Sequence, residues 1–332
     1  MSGPHDAAGP LRVVAFGGGH GLSASLRALR LLRGQWSAGR QRRELEVTAV
    51  VTVGDDGGSS GRLRAERGGL PPGDLRQALV ALADADDPTA DLTARLFQHR
   101  FDGNGQLSGH PVGNLTLLGL MELMGDPVDA LDHAARLLGC CGRVLPMSRH
   151  AVSLEADVLG GDPARPDDVV AVRGQHAVAV TRGEVRRVRL LPERPVACAE
   201  ALAAVEAADW LIFGPGSWFT SVIPHLLVPD LAAAVSNSRA KRLVTLNLAA
   251  EKETSGLSLP DHLAALARYL PGLRFDVVLA DGKAVGDPEP VHRAAESLGA
   301  RLSLAPVAVP DGSPRHDPAA LAAALEAVLG PP

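Results

Sequence analysis

The sequence predicts an α/β protein of Rossmann-like, three-layer α/β/α type, with a mainly parallel sheet and a helical insertion after the second strand. Three observations carry this reading. Near-continuously apolar runs such as "LEVTAVVTV" (Leu45–Val53) read as strands buried on both faces, as in a parallel sheet. Two strand-like runs, ending at Phe16 and Phe213, pass into glycine turns that open helices. The composition, 46% apolar but only 3% aromatic over 332 residues, supplies a large core built mostly of Leu, Val and Ala.

Taken in order, "LRVVAF" (Leu11–Phe16) is the first strand. "GGGHGLSASLRALRLL" follows as a glycine turn and a helix, with Leu22, Leu26, Leu29 and Leu32 at helical spacing. Arg33–Arg43, "RGQWSAGRQRR", reads as a solvated loop leading to the second strand. Between about 70 and 140 the pattern is helical throughout, starting at "PPGDLRQALVALAD" with Pro in a first turn. From 143 to 191 short pieces bounded by Gly, Pro and Asp ("HAVSLEADVLG", "HAVAVTRG", "EVRRVRLLP") read as antiparallel strands. Parallel character resumes with "WLIFGPGS", "RLVTLNLAA", "FDVVLAD" and "ARLSLAPV", and "DPAALAAALEAVL" closes the chain as a helix. The expected organisation is one α/β domain over 11–310, followed by a C-terminal helix and tail over 311–332.

The formal charge of −5 with interspersed signs, together with the scarcity of aromatics, argues against nucleic-acid binding. Cys140, Cys141 and Cys198 have no metal spacing and read as free thiols in a reducing compartment. "MSGPHDAAGP" has no signal-peptide core, and no apolar run is long enough to span a bilayer. A soluble, cytoplasmic protein without membrane insertion is expected, and pairing into a homodimer is common for such domains.

Five motifs carry the candidate chemistry. Gly17, Gly18, Gly19, His20 and Gly21, followed by Leu22, place a glycine loop and a helix N-terminus where an anion can meet backbone amides. In "VTVGDDGGSSGRLR" (Val51–Arg64), Asp55, Asp56 and Gly57 follow the second strand. Three roles are open to the two acids: holding Mg²⁺, accepting from ribose hydroxyls or a base edge, or capping the next turn. Arg62 or Arg64 could balance their charge. Gly73, Asp74 and Arg76 sit at a helix start, where the arginine reads equally as a phosphate contact or a surface residue. His110, Gly113 and Asn114 in "SGHPVGNL" form an unusual cluster before an apolar helix and suggest a ligand contact. Gly214, Pro215, Gly216 and Ser217 repeat the strand–glycine–helix junction, and anion binding is favoured over acyl chemistry because G-x-S-x-G is absent. Two phosphate-type loops with one acidic loop suggest a ligand bearing a diphosphate and a sugar.

"VVAFGGGHGLS", "AVVTVGDDGGSSGRLR", "LPPGDLRQALVALA", "LSGHPVGNL" and "GPGSWFTSVIPHLLVP", in this order, resemble the bacterial gluconeogenesis factor (YvcK) family, a branch of the CofD-like proteins. The resemblance runs from Arg12 to about Pro310. It implies a CofD-like fold and a UDP-sugar ligand such as UDP-N-acetylglucosamine. It also implies a regulatory role in carbon partitioning, cell-wall synthesis and cell shape, with cell-wall regulatory proteins as partners and no established catalysis. The CofD branch implies an alternative: Mg²⁺-dependent transfer of a phospholactyl-type group from a guanylylated donor to a deazaflavin. By position the resemblance places Gly17–Gly21, Asp55, Asp56, Asn114 and Gly214–Ser217 in the nucleotide cleft, and the strand ending near Asn247 brings that residue alongside. The chain departs from the family at His20, where Thr is usual. It departs again in "NLAAEKETSG" (247–256), where the family carries Met-Thr-Gln-Pro-Gly-Glu-Thr; Glu253 and Thr254 keep the frame.

Overall fold

In the computed structural model, which describes residues 9–39, 44–254 and 256–330, seven strands form one parallel sheet in the order β10-β9-β8-β7-β1-β2-β3. These are β1 (Leu11–Gly17), β2 (Leu45–Val51), β3 (Arg143–Pro146), β7 (Trp210–Phe213), β8 (Lys241–Thr245), β9 (Val277–Ala280) and β10 (Arg301–Leu304). Three more, β4 (Ser153–Leu159), β5 (Val169–Arg173) and β6 (Glu184–Leu191), make a small antiparallel sheet ordered β5-β4-β6. The helices of the first half are α1 (Gly19–Ala38), α2 (Gly58–Arg67), α3 (Pro72–Leu82), α4 (Pro88–Gln98), α5 (Val112–Met124), α6 (Pro127–Leu137) and α7 (Gln175–Ala179). Those of the second half are α8 (Ala199–Ala207), α9 (Ile223–Leu226), α10 (Pro229–Asn237), α11 (Leu259–Tyr269), α12 (Gly282–Val285), α13 (Glu289–Ser297) and α14 (Pro318–Leu329).

The central strand explains the placement of the site. β1 pairs in parallel with β2 on one side and β7 on the other, with Gly17 opposite Val51 and Phe16 opposite Phe213. Chain order therefore reverses direction across β1, and the three loops leaving these strands emerge at one end of the sheet. That end of a switch point is where open α/β sheets bind ligands. Phe16 stacks on Phe213 with centroids 4.8 Å apart, and buried His225 meets the Phe16 edge at 5.5 Å. The His225 Nε2 lies 3.0 Å from the Val50 carbonyl, and burial pushes its pKa down to about 4, so it is a neutral core residue.

Leu22, Leu26, Leu29 and Leu32 of α1 face the core as their spacing requires, all buried, and Trp36 joins them, whereas Leu31 lies off that face and is exposed. The expected solvated loop at Arg33–Arg43 is corrected accordingly: α1 continues to Ala38 because Trp36 extends its buried face by one turn. Residues 40–43 of that stretch lie outside the described residues. Helix starts follow an Asp-Pro pattern: Asp87, Asp126 and Asp317 accept from first-turn amides and Pro follows each. The helix α14 lies against α1, with Trp36 Nε1 donating to Glu326 at 3.2 Å.

Two expectations within 143–191 are corrected. β3 joins the parallel sheet beside β2, in register from Thr48 opposite Arg143, rather than the antiparallel group. "HAVAVTRG" is not a strand; it holds α7 and a turn. The Asp56 carboxylate accepts the His176 N–H at 2.9 Å just after Gly174, whose φ of 99° turns the chain, and this closes a helical turn there. β4 pairs antiparallel with β6, the predicted "EVRRVRLLP" strand, on one side, and its partner on the other side is β5. No single helix among the described residues is long and apolar enough to cross a membrane.

Candidate functional site

The loops after β1, β2 and β7 enclose two adjoining cavities of about 530 and 660 Å³. His20, Gly21, Arg76, Arg100, Gly216 and Glu251 line both, so the two are halves of one cleft. The inner half adds Asp55 and Asp74, whereas the outer half adds Arg27, Arg315 and His316. One half thus gathers carboxylates and the other gathers guanidinium groups.

The first loop contributes the α1 N-terminus. Gly18 is its extended N-cap and carries no side-chain cap, and no acidic residue stands in the first turn. Gly19 follows at φ 56°, a conformation that favours glycine. Gly21 serves a different purpose. A Cβ there would lie 2.1 Å from the Pro215 carbonyl oxygen and 2.6 Å from Gly216 Cα, so the two glycine loops touch at this residue. The second loop is braced from β8: Asn247 accepts the Gly216 N–H at 2.8 Å and donates to the Gly216 carbonyl at 2.9 Å. Ser217 donates to Glu251, and the Phe219 N–H donates to Glu253 at 2.9 Å. The Gly216 and Phe219 amides and the Ser217 hydroxyl are therefore already satisfied by the 247–254 loop, leaving α1 as the freer anion site.

The two adjacent acids separate. Asp55 accepts the Gly57 N–H at 2.9 Å through Oδ1, while Oδ2 faces Gly73, where a Cβ would approach it to 3.0 Å. Asp56 turns away from the cleft to the α7 backbone. Arg62 and Arg64 balance neither acid; they donate to the Ser108 carbonyl at 2.9 Å and to Ser153 Oγ at 3.0 Å. The partner of Asp55 is Asp74, on the first turn of α3. Burial, and then the charge of Asp55, push the Asp74 pKa up to about 7. Its Oδ2 is buried with no hydrogen-bond partner, beside Gly18.

This answers which residues fit a hard divalent cation. Among the described residues no group of three or more His, Cys, Asp or Glu is arranged for a metal. Asp55 and Asp74 fit an ion such as Mg²⁺, which commonly takes one or two carboxylates and completes its shell with ligand phosphates and water. The unpartnered Oδ2 of Asp74 is what such an ion would satisfy.

Behind the cleft wall runs a buried polar chain. Arg76 Nε donates to Asn114 Oδ1 at 2.8 Å, Asn114 Nδ2 donates to Ser59 Oγ at 3.0 Å, and Ser59 Oγ stands 2.8 Å from His110 Nδ1. Arg76 also donates to Gln98. Burial, and then Arg100, lower the Arg76 pKa to about 10, which leaves it charged at neutral pH. Burial, and then Arg62, lower that of His110. His110 thus orients Ser59 from behind.

Of the residues singled out in sequence, the structure brings into the cleft lining Gly18–Gly21, Asp55, Gly57, Gly73, Asp74, Arg76, Asn114, Pro215–Ser217 and Asn247. Six others lie outside the lining. Gly17 ends β1, and Leu22 is a core residue packed under it. Asp56 and His110 act through their neighbours as described. Gly113 lets α5 approach α4, since a Cβ would stand 2.7 Å from the Phe97 ring, and Gly214 turns at φ 68° below the Thr245 carbonyl. Sequence reasoning missed Arg27, Arg100, Glu251, Arg315 and His316. Arg27 was findable, because His20, Ala24 and Arg27 share one helical face. The others arrive from distant segments.

The model of the family described as 2-phospho-L-lactate transferase CofD matches residues 13–301. A Mycobacterium tuberculosis protein, described provisionally as a gluconeogenesis factor, is 52% identical over 320 residues, covering 95% of this chain and 90% of its own. The Bacillus subtilis gluconeogenesis factor is 34% identical over 291 residues, covering 87% and 84%. A crystal structure of a UPF0052-family protein from Bacillus halodurans superposes with a TM-score of 0.81 at 33% identity, covering 96% of this chain and 99% of that one. With these matches spanning the sheet and all three cleft loops, the chain belongs to the CofD family, in its gluconeogenesis factor (YvcK) branch.

Proposed function

We propose that this chain is a cytoplasmic, nucleotide-sugar-binding regulatory protein, with a UDP-sugar such as UDP-N-acetylglucosamine as ligand, that links carbon metabolism to cell-wall synthesis and cell shape. The observation that carries the ligand class is the two-signed cleft at the switch point. Arg27, Arg76, Arg100 and the α1 N-terminus suit a diphosphate, and Asp55 with Asp74 suits sugar hydroxyls or a phosphate-bound Mg²⁺. The regulatory role rests on the gluconeogenesis factor relatives. Calorimetric titration with UDP-N-acetylglucosamine tests the ligand. Saturable binding is expected, weakened at least tenfold by Arg76→Ala; no heat and no thermal shift at millimolar ligand overturns it.

A second reading, transfer of a phospholactyl-type group as in CofD, is favoured by the facing carboxylates Asp55 and Asp74. Incubation with a deazaflavin, a guanylylated donor and Mg²⁺ should then give product in the wild type and none in Asp55→Asn. Absence of product in the wild type ends that reading without touching the first.

A further inference from the structure

A second concave surface shares no lining residue with the cleft. It is a groove of about 540 Å³ between β6, an edge strand of the antiparallel sheet, and the last turn of α11. Arg186, Arg187 and Arg189 from β6 and Arg268 from α11 line it, against the single carboxylate of Glu193. Such a concentration of positive charge is unexpected on a chain of net charge −5.

Two of the four arginines are already neutralised. Arg189 pairs with Glu155 and with Asp157 at 2.8 Å, and Arg186 pairs with Glu184 at 2.9 Å. Arg187 and Arg268 make no hydrogen bond or ion pair with the described residues. Tyr269 stands within electrostatic range of both. Its hydroxyl accepts the Val188 N–H at 2.7 Å, and its own hydrogen has no acceptor among the described residues. Burial pushes the phenol pKa up, so the hydroxyl keeps that hydrogen to donate.

Arginines on an edge strand also serve to block strand-on-strand association. That role accounts for the charge but not for a concave site with a spare hydroxyl donor. The Tyr269 hydroxyl also seals the outward N–H of Val188, so an added β-strand has no continuous edge to pair with. The groove therefore suits a compact anion rather than an extended peptide. The carbonyls of the α11 C-terminus add about half a negative charge here, which the two arginines exceed. Two guanidinium groups and a hydroxyl offer more donors than one carboxylate can accept, which favours a phosphate.

We propose that this groove binds a phosphate or diphosphate group of a soluble metabolite, with Arg187, Arg268 and the Tyr269 hydroxyl as its donors, as a second anion site separate from the cleft. Inorganic pyrophosphate titrated into the full chain by calorimetry is the probe. The wild type is expected to show two classes of site. Arg187→Ala with Arg268→Ala should lose one class, its Kd rising at least tenfold, and Tyr269→Phe should weaken that class several-fold. Arg27→Ala with Arg315→Ala, in the cleft, should leave that class in place. Circular dichroism and melting check that each variant folds, and Arg187→Lys with Arg268→Lys, which keeps the charge but loses the planar fork, should weaken the class several-fold. An isotherm unchanged by the double alanine variant, or a single class that disappears with the cleft variant, overturns the site. Co-sedimentation with anionic phospholipid vesicles that depends on Arg187 and Arg268, without pyrophosphate binding, overturns the soluble source.

Discussion

The two halves of the cleft are built by different physics. In the inner half Asp74 is buried on the first turn of α3, and at the seam with the outer half Arg76, buried in the next turn, is tied through Asn114 to Ser59. These groups are fixed before a ligand arrives, at the cost of a buried carboxylate whose pKa stands near 7. In the outer half, Arg27 is exposed on α1, and Arg315 is exposed and held by Asp311 at 2.7 Å. These charges are solvated and screened. The inner half is suited to set geometry and the outer half to attract charge.

The largest expected effect breaks the seam between the halves. Gly21→Ala should destabilise the protein by about 3 kcal/mol, because the new Cβ meets backbone of the other loop, which has no rotamer to yield. The clash at 2.1 Å outweighs the gain of about 1 kcal/mol that Ala brings to a helix interior. Gly34 on the same helix is the control. A Cβ there meets nothing within 4 Å, so Gly34→Ala should stabilise by roughly 0.5–1 kcal/mol. Chemical denaturation of both variants reads the contrast, and equal effects would show that the two loops do not touch.

The second effect sharpens the role of the 247–254 loop, whose Glu251 lines both halves. Burial pushes the Glu253 pKa up from 4.5 to about 7, and one of its carboxylate oxygens is buried without a partner. A raised folded pKa means that the folded protein holds a proton the unfolded chain has released. The contribution is complete below pH 4.5 and is lost as pH rises through about 7. One proton gives a slope of at most about 1.4 kcal/mol per pH unit. Glu253→Gln keeps an acceptor for the Phe219 N–H and removes the titration. The wild-type stability minus that of the variant should fall between pH 5 and pH 8; a constant difference would show that Glu253 does not titrate there.

Much of this arrangement was legible in the sequence, for local reasons. The apolar runs and the leucine spacing of α1 depend on residues within a few turns of each other, and the glycine loops declare themselves by composition. What stayed hidden was long-range. The two acids of "GDDGG" look alike in sequence, and they are told apart by partners elsewhere: Asp56 meets the backbone of His176, 120 residues away, and Asp55 faces Asp74 across Gly73. The Arg-Arg pair that followed them looked like a charge balance, but both side chains reach across to other segments. Gly113 and Gly21 looked like ligand-facing glycines, and the structure shows Gly113 spent wholly on close packing and Gly21 partly so. Pattern reveals that a glycine is required; only the neighbour reveals for what.

The smallest expected effect on stability separates the halves most clearly. Arg27→Ala and Arg315→Ala remove exposed charges, and each should change stability by no more than about 0.5 kcal/mol. Arg315 loses a surface pair with Asp311, whose worth is small in water. If the outer half works by attracting charge, both variants should bind an anionic nucleotide ligand more weakly at low salt. The difference from wild type should shrink as ionic strength rises, because the Debye length falls from about 30 Å at 0.01 M to about 3 Å at 1 M. Arg76→Ala should behave otherwise: its loss of affinity should persist at high salt, since a buried, hydrogen-bonded guanidinium is screened little. Titrations across a salt series compare the three directly. A loss that is independent of salt in Arg27→Ala would mean that this arginine contacts the ligand as tightly as Arg76 does, and the division between a positioning half and an attracting half would fall.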